Sequence, residues 1–111
     1  MRMLRRLPTI SPREAAERLS RGELQLVDVR EVAEVAAGAV PAATHIPLGR
    51  LQGEMNRLDR QRPVAFVCRS GGRSAAATRT ALAAGLDAVN VSGGMTAWAR
   101  QGLPLTTQEG R

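Results

Sequence analysis

The sequence predicts an α/β domain, a small doubly wound parallel sheet with helices on both faces. Three observations carry this expectation. Short Leu- and Val-rich runs at 24–29, 64–67 and 87–91 alternate with helix-forming segments, and strands separated by helices join into a parallel sheet. A length of 111 residues supports one hydrophobic core. Hydrophobic residues make up 43% of the chain and charged residues 23%, the balance of a globular domain rather than of a disordered or collagen-like one. With one Phe, one Trp and no Tyr, that core must be built from Ala, Val, Leu and Ile.

Ser11-Pro12-Arg13-Glu14 opens the first helix. Ser11 is an N-cap, proline takes the first helical position, and Glu14 completes a capping box. The helix is expected over 12–21, with Gly22 as its stop. The run LQLVDV at 24–29 reads as a buried strand ending near Asp28. A short helix over 31–37 stops at Gly38, after which Pro41 and Pro47 break 40–41 and 45–47 into extended connections or a brief strand. Leu51, Met55 and Leu58 recur at spacings of four and three, predicting an amphipathic helix over 50–58 despite Gly53. A polar turn at 60–62 leads to the central strand 64–67, which delivers Cys68 at its tip. From Arg73 the alanine-rich segment predicts a helix up to Gly85. A strand over 87–91, the Gly93-Gly94 turn and a last helix over 95–101 follow. There is no internal repeat and no linker, so the layout is a basic N-terminal segment at 1–9, one domain over 10–105 and a tail at 106–111.

The sixteen cations are all arginine and outnumber ten acids, giving a net charge of +6. Only Arg2, Arg5 and Arg6 cluster; the rest are scattered, several beside acids, as in Arg13-Glu14, Glu17-Arg18 and Arg30-Glu31. With almost no aromatic platforms for base stacking, nucleic acid is not an expected partner. The charge is instead available to a small anionic substrate. One cysteine and one histidine rule out an internal disulfide and a Cys/His zinc cluster, and no metal or cofactor is expected. No apolar stretch approaches the ~18 residues of a membrane span and no targeting segment stands out, so the protein is expected to be cytoplasmic without a membrane partner.

Residues 68–74 read C-R-S-G-G-R-S between a buried strand and a helix N-terminus. A lone cysteine on an apolar strand is usually a small core hydrophobe. Three features oppose that reading here. Cys68 ends its strand rather than filling it, Gly71 and Gly72 permit a tight loop with inward N–H groups, and the loop feeds a helix whose dipole is positive at that end. Ser70 completes this anion cradle around the sulfur, in which the thiol should fall below its free value of about 8.5. Arg69 and Arg73 add positive charge for an anionic substrate. Either could be a plain surface arginine, although Arg73, at the turn into the helix, can brace the loop against backbone carbonyls or a carboxylate. Asp28 could orient Arg30 or Arg73, or could cap the following helix.

The loop C-R-S-G-G-R-S, together with Asp28-Val29-Arg30-Glu31 and Gly93-Gly94-Met95-Thr96-Ala97-Trp98, resembles the three signature elements of the rhodanese family of sulfurtransferases, in the family's order. The resemblance spans residues 11 to 104 and is to the single-domain form. It implies a doubly wound parallel sheet and a double displacement: the Cys68 thiolate attacks the outer sulfur of thiosulfate, releases sulfite and becomes a persulfide. Cyanide or a thiol then takes that sulfur, while the N–H groups from Arg69 to Arg73 hold it. An alternative is a sulfur-carrier module loaded and unloaded by protein partners, with a sulfur-accepting protein as the acceptor. Cys68 and Arg73 are separated by four residues, one fewer than in cysteine phosphatases, and no clear general acid is present. The family's G-H-I-P-G-A element stands here as Gly38-Ala39-Val40-Pro41-Ala42-Ala43, without its histidine and its second glycine. His45 is expected to be structural or exposed, and Trp98 to anchor the last helix in the core.

Overall fold

The structure, a computed structural model, describes residues 6–107. Arg2 and Arg5 of the basic cluster and residues 108–111 of the expected tail lie outside the described residues. Five strands, β1 (Thr9–Ile10), β2 (Gln25–Asp28), β4 (Thr44–His45), β5 (Val64–Val67) and β6 (Ala88–Val91), form a parallel sheet in the order β1-β6-β5-β2-β4. A separate antiparallel pair joins β3 (Gly38–Ala39) to β7 (Thr106–Thr107). The helices are α1 (Pro12–Ser20), α2 (Val32–Ala37), α3 (Leu51–Glu54), α4 (Gly72–Ala83) and α5 (Gly94–Arg100). The first begins with Ser11 as its N-cap, the Glu14 N–H donating to Ser11 Oγ at 3.1 Å, which is one half of the expected capping box.

All four residues of β5 are buried, as a strand covered on both faces requires. Successive side chains point to opposite faces of a strand, and the two cores follow that alternation. Phe66 and Cys68 share one core with Val27, Leu51 of α3, and Ala77 and Ala81 of α4. Ala65 and Val67 share the other with Leu26, Ala15 of α1 and Trp98 of α5. Ala15, Ala77 and Ala81 are fully buried, and their small side chains bring the helix axes close to the sheet. Each large apolar side chain so buried contributes about 1.5–3 kcal/mol relative to exposure. The indole N–H of Trp98 donates to the Pro104 carbonyl at 3.0 Å, so this polar group is satisfied while the ring is buried.

Two expectations change. The segment 50–58 is not one helix: a 3-10 turn at Leu48–Arg50, the single turn α3 and a second 3-10 turn at Met55–Arg57 replace it. Leu51 and Leu58 are buried, but Met55 is only half-buried, and Gly53 weakens the interior. A helix without a continuous packed face has little to hold it. Thr9 is part of β1, paired with Asn90 of β6, and Thr106 and Thr107, expected in the tail, pair with Ala39 and Gly38. No helix among the described residues is long and apolar enough to cross a membrane.

The topology also sets where a ligand can approach. The chain leaves β5 into α4 on one face and leaves β6 into α5 on the other. Between adjacent strands whose helices diverge in this way, a crevice opens at the carboxyl ends. Cys68 stands at that place.

Candidate active site

Cys68 directly follows β5 and is 1% exposed. The chain then turns through Arg69 and Ser70 to Gly71, the N-cap of α4, whose φ of +122° is open chiefly to glycine. This conformation lets the Gly71 N–H donate to Cys68 Sγ at 3.1 Å. The buried Ser74 hydroxyl, one turn into α4, donates to the same sulfur at 3.3 Å. Burial pushes the Cys68 thiol up and is the largest single influence; the Ser74 hydroxyl and the backbone N–H groups of Ser74, Gly71 and Ser70 together outweigh it, so the thiol lies below its ordinary value. The N-terminal end of a twelve-residue helix adds positive potential at the sulfur.

The start of α5 supports the loop from behind. The Met95 N–H donates to the Cys68 carbonyl at 2.8 Å and the Thr96 N–H to the Arg69 carbonyl at 3.0 Å. Gly94 lies between them with φ +59°, and a Cβ there would stand 2.5 Å from both carbonyl oxygens. Gly94 is therefore part of the loop's foundation, beyond the turn-forming role its sequence context suggests.

Arg73 is not free. Its guanidinium makes two hydrogen bonds to the Glu34 carboxylate, at 2.7 and 2.9 Å. The Arg73 bond and the Glu31 N–H, which donates to Glu34 at 2.9 Å, hold the Glu34 carboxyl down to about 2. The bracing open to Arg73 in the sequence thus takes the carboxylate form, and Glu34 is a site residue that sequence reasoning missed. The Glu-x-x-Glu spacing of Glu31 and Glu34 at the head of α2 signals a capping box, which is present. Nothing local signals a partner 39 residues away.

Asp28 and Arg30 form a buried pair. Arg30 donates from Nη2 to Asp28 Oδ2 at 2.8 Å and from Nε to Oδ1 at 3.0 Å, and its backbone N–H donates to Oδ1 at 3.1 Å. Of the two options for Asp28, orienting Arg30 is the one realised; α2 is capped by Glu31. Arg30 Nη2 also donates to the Gly38 carbonyl at 2.8 Å, tying the end of β2 to β3. The half-buried His45 on β4 donates from Nε2 to the Arg30 carbonyl at 2.7 Å, a structural position. Arg30 Nη1 also donates to the Glu34 carbonyl at 3.4 Å, so Asp28, Arg30, Glu34 and Arg73 form a continuous brace from the sheet to the loop.

Arg69, Ser70 and Gly72 are exposed. Arg69 lines a cleft of about 310 Å³ with Arg30, Glu34, Ala37, Met95 and Thr96, so Arg30 and Arg69 face one opening. An apolar cleft of about 200 Å³ beside Trp98, Val40 and Pro41 lies on the α1 side and presents no reactive group. No cluster of three or more His, Cys, Asp or Glu side chains among the described residues could hold a metal ion. The arrangement around Cys68 is suited to holding a nucleophilic thiolate and, through the same N–H groups, an anionic sulfur bonded to it.

Residues 11–101 match the family model described as the rhodanese-like domain. The chain belongs to that family. This rhodanese-like domain is 44% identical over 82 residues to a Bacillus subtilis protein provisionally named as the sulfurtransferase YtwF, covering 74% of this chain and 80% of that one. It is 39% identical over 89 residues to a protein of Allochromatium vinosum named sulfurtransferase, covering 79% and 83%. A second Bacillus subtilis protein, provisionally named as the sulfur carrier protein YrkF, is 35% identical over 94 residues, with 83% of this chain matching 51% of that one. Among solved structures, a rhodanese-related protein from Thermoplasma volcanium superimposes with a TM-score of 0.83 at 30% identity, covering 89% of this chain and 97% of that one.

Proposed function

We propose that this rhodanese-like domain is a sulfurtransferase that carries a sulfane sulfur on Cys68. The observation that carries the reading is the convergence of the Gly71 N–H and the Ser74 hydroxyl on a buried Sγ at the head of α4. Donors fixed in advance stabilise negative charge without reorganising during the reaction. In the first half-reaction the Cys68 thiolate attacks the outer sulfur of thiosulfate. The sulfur–sulfur bond breaks, its electron pair leaves with sulfite, and Cys68 becomes a persulfide anion. In the second, cyanide or a thiolate attacks the terminal sulfur, and the electron pair of the persulfide bond returns to Cys68. Sulfite is a stable anion and the persulfide is acidic, so neither step requires proton transfer from a side chain.

Each residue of the loop has a part in this scheme. The N–H groups of Ser70, Gly71 and Gly72 line the cradle for the transferred sulfur. Arg69, exposed at the cleft, attracts the anionic donor. Arg73 holds the loop through Glu34, and Asp28 and Arg30 secure α2, which presents Glu34. The name of the YrkF relative favours a second reading, in which the acceptor is a protein and the domain acts as a carrier. Steady-state kinetics test both. Varying thiosulfate against cyanide and against a small thiol should give parallel double-reciprocal lines, the mark of a covalent intermediate, with activity abolished in Cys68→Ser. Intersecting lines, or full activity in that variant, would overturn the covalent scheme. Loading by thiosulfate with slow discharge to both small acceptors would favour the carrier.

A further inference from the structure

Ser74 has one hydroxyl hydrogen and two acceptors for it. Its Oγ lies 3.3 Å from Cys68 Sγ and also 3.3 Å from the Gly71 carbonyl oxygen. A hydroxyl donates one hydrogen bond, so the destination of that hydrogen affects how well the sulfur is stabilised. The Gly71 carbonyl has two other donors: the Ala75 N–H at 3.0 Å and Asn90 Nδ2 at 3.2 Å. A carbonyl oxygen has two lone pairs, which these two donors fill.

Asn90 is an unusual residue for its position. It sits inside β6, opposite Phe66 of the central strand, and is 8% exposed. Asparagine is a poor strand former, and an apolar residue would suit a buried strand better. Its Oδ1 is the only buried side-chain nitrogen or oxygen among the described residues without a hydrogen-bond partner. The orientation of the carboxamide follows from Gly71, because turning it over would set two oxygens against each other. The molecule therefore retains a buried, unpartnered acceptor, which ordinarily costs stability, and in return places one donor on the Gly71 carbonyl.

We propose that Asn90 is a positioning residue for sulfur transfer: by satisfying the Gly71 carbonyl, its carboxamide directs the single Ser74 hydroxyl hydrogen onto Cys68 Sγ. Removing Asn90 leaves a lone pair on the Gly71 carbonyl that draws this hydrogen away, and the sulfur keeps only backbone donors. The inference takes Cys68 as the reactive nucleophile, in line with the proposed function, but its test needs no sulfur donor. Arg73 on α4, whose charge acts on Cys68, and its partner Glu34 on α2 are unchanged in the variants, as is Arg69 in the loop.

The rate of Cys68 alkylation by iodoacetamide, followed against pH, reads the thiol's titration directly. Asn90→Ala should move its midpoint up by about one pH unit, the scale of one hydrogen bond to a charged group. Ser74→Ala should move it by a similar amount. The double variant should titrate like Ser74→Ala alone, because Asn90 acts only through the Ser74 hydrogen; a residue that merely supports the loop would add its own shift. The nearly isosteric Asn90→Leu fills the same volume and serves if the alanine variant does not fold, as followed by circular dichroism. An unshifted midpoint in the folded Asn90 variant, or additive shifts in the double variant, would overturn the proposal. A normal alkylation result in a protein that takes no sulfur from thiosulfate would instead count against the proposed function alone.

Discussion

Glu34 and Arg73 give the site a pH signature at the level of single residues. In the folded protein the Glu34 carboxyl is held at about 2, against an ordinary value of 4.5. Between those values the unfolded chain binds more protons than the folded one, so stability rises with pH through this window. The contribution is complete above pH 4.5 and is lost as pH falls toward 2. Because both side chains are about one-third exposed, solvent screens the pair and its effect on global stability should be no more than about 1 kcal/mol. Glu34→Gln is therefore expected to flatten the acid limb of a stability–pH profile, measured by urea unfolding, while lowering sulfur-transfer turnover several-fold as the loop loosens. Turnover equal to wild type would show that the brace is dispensable. Arg69 has the opposite character, exposed and at the cleft. Arg69→Ala should raise the KM for thiosulfate about tenfold, at the low end for loss of one charge-assisted hydrogen bond, with the melting temperature unchanged; parallel losses of both would mark it as structural.

Two glycines make different demands on the elements they join. A Cβ at Gly94 would collide with the carbonyl oxygens of Cys68 and Arg69, whereas at Gly71 the nearest atom is Asn90 Nδ2 at 4.0 Å. Gly94→Ala should force α5 away from the loop and cost more than about 2 kcal/mol, through overpacking and backbone strain combined. Gly71→Ala should cost about 1–2 kcal/mol from its positive φ alone, and thermal unfolding of the two variants side by side measures the difference. These elements also mark how far the sequence could be read. Helices with a clear start, such as α1 with Ser11 and Glu14, and strands long enough to show an apolar run, such as β5, were legible from local chemistry. The pairs β1 with β6 and β3 with β7 involve two-residue strands, too short for any periodicity. The segment 50–58 had helical spacing but too little buried face to keep it one helix. Within the site, Cys68 and its glycine loop stood out by composition, while Glu34, Ser74 and Asn90 owe their places to contacts made across the fold.

The whole molecule is a sheet clamped between two small cores, and its charges follow that plan. Arg18 and Arg30 do not pair with Glu17 and Glu31, the acids beside them in the sequence; their partners are Glu23 and Asp28, and Arg57 pairs with Glu54. Arg21, Arg50, Arg62 and Arg73 are also paired with acids, so these arginines are locally neutralised while the net excess of +6 remains. With few large side chains available, Trp98 carries a large share of the α1–α5 core. Trp98→Ala should destabilise the fold by about 3–5 kcal/mol, read from the denaturation midpoint, and a loss below about 1 kcal/mol would show that this core collapses around the gap. Everything built around the sheet ends at one sulfur atom. The most direct test is intact-protein mass spectrometry after incubation with thiosulfate, comparing wild type with Cys68→Ser. Wild type should gain the mass of one sulfur atom, lose it on adding cyanide, and the serine variant should gain nothing; a folded wild-type protein that takes up no sulfur, or a serine variant that does, would contradict a persulfide on Cys68.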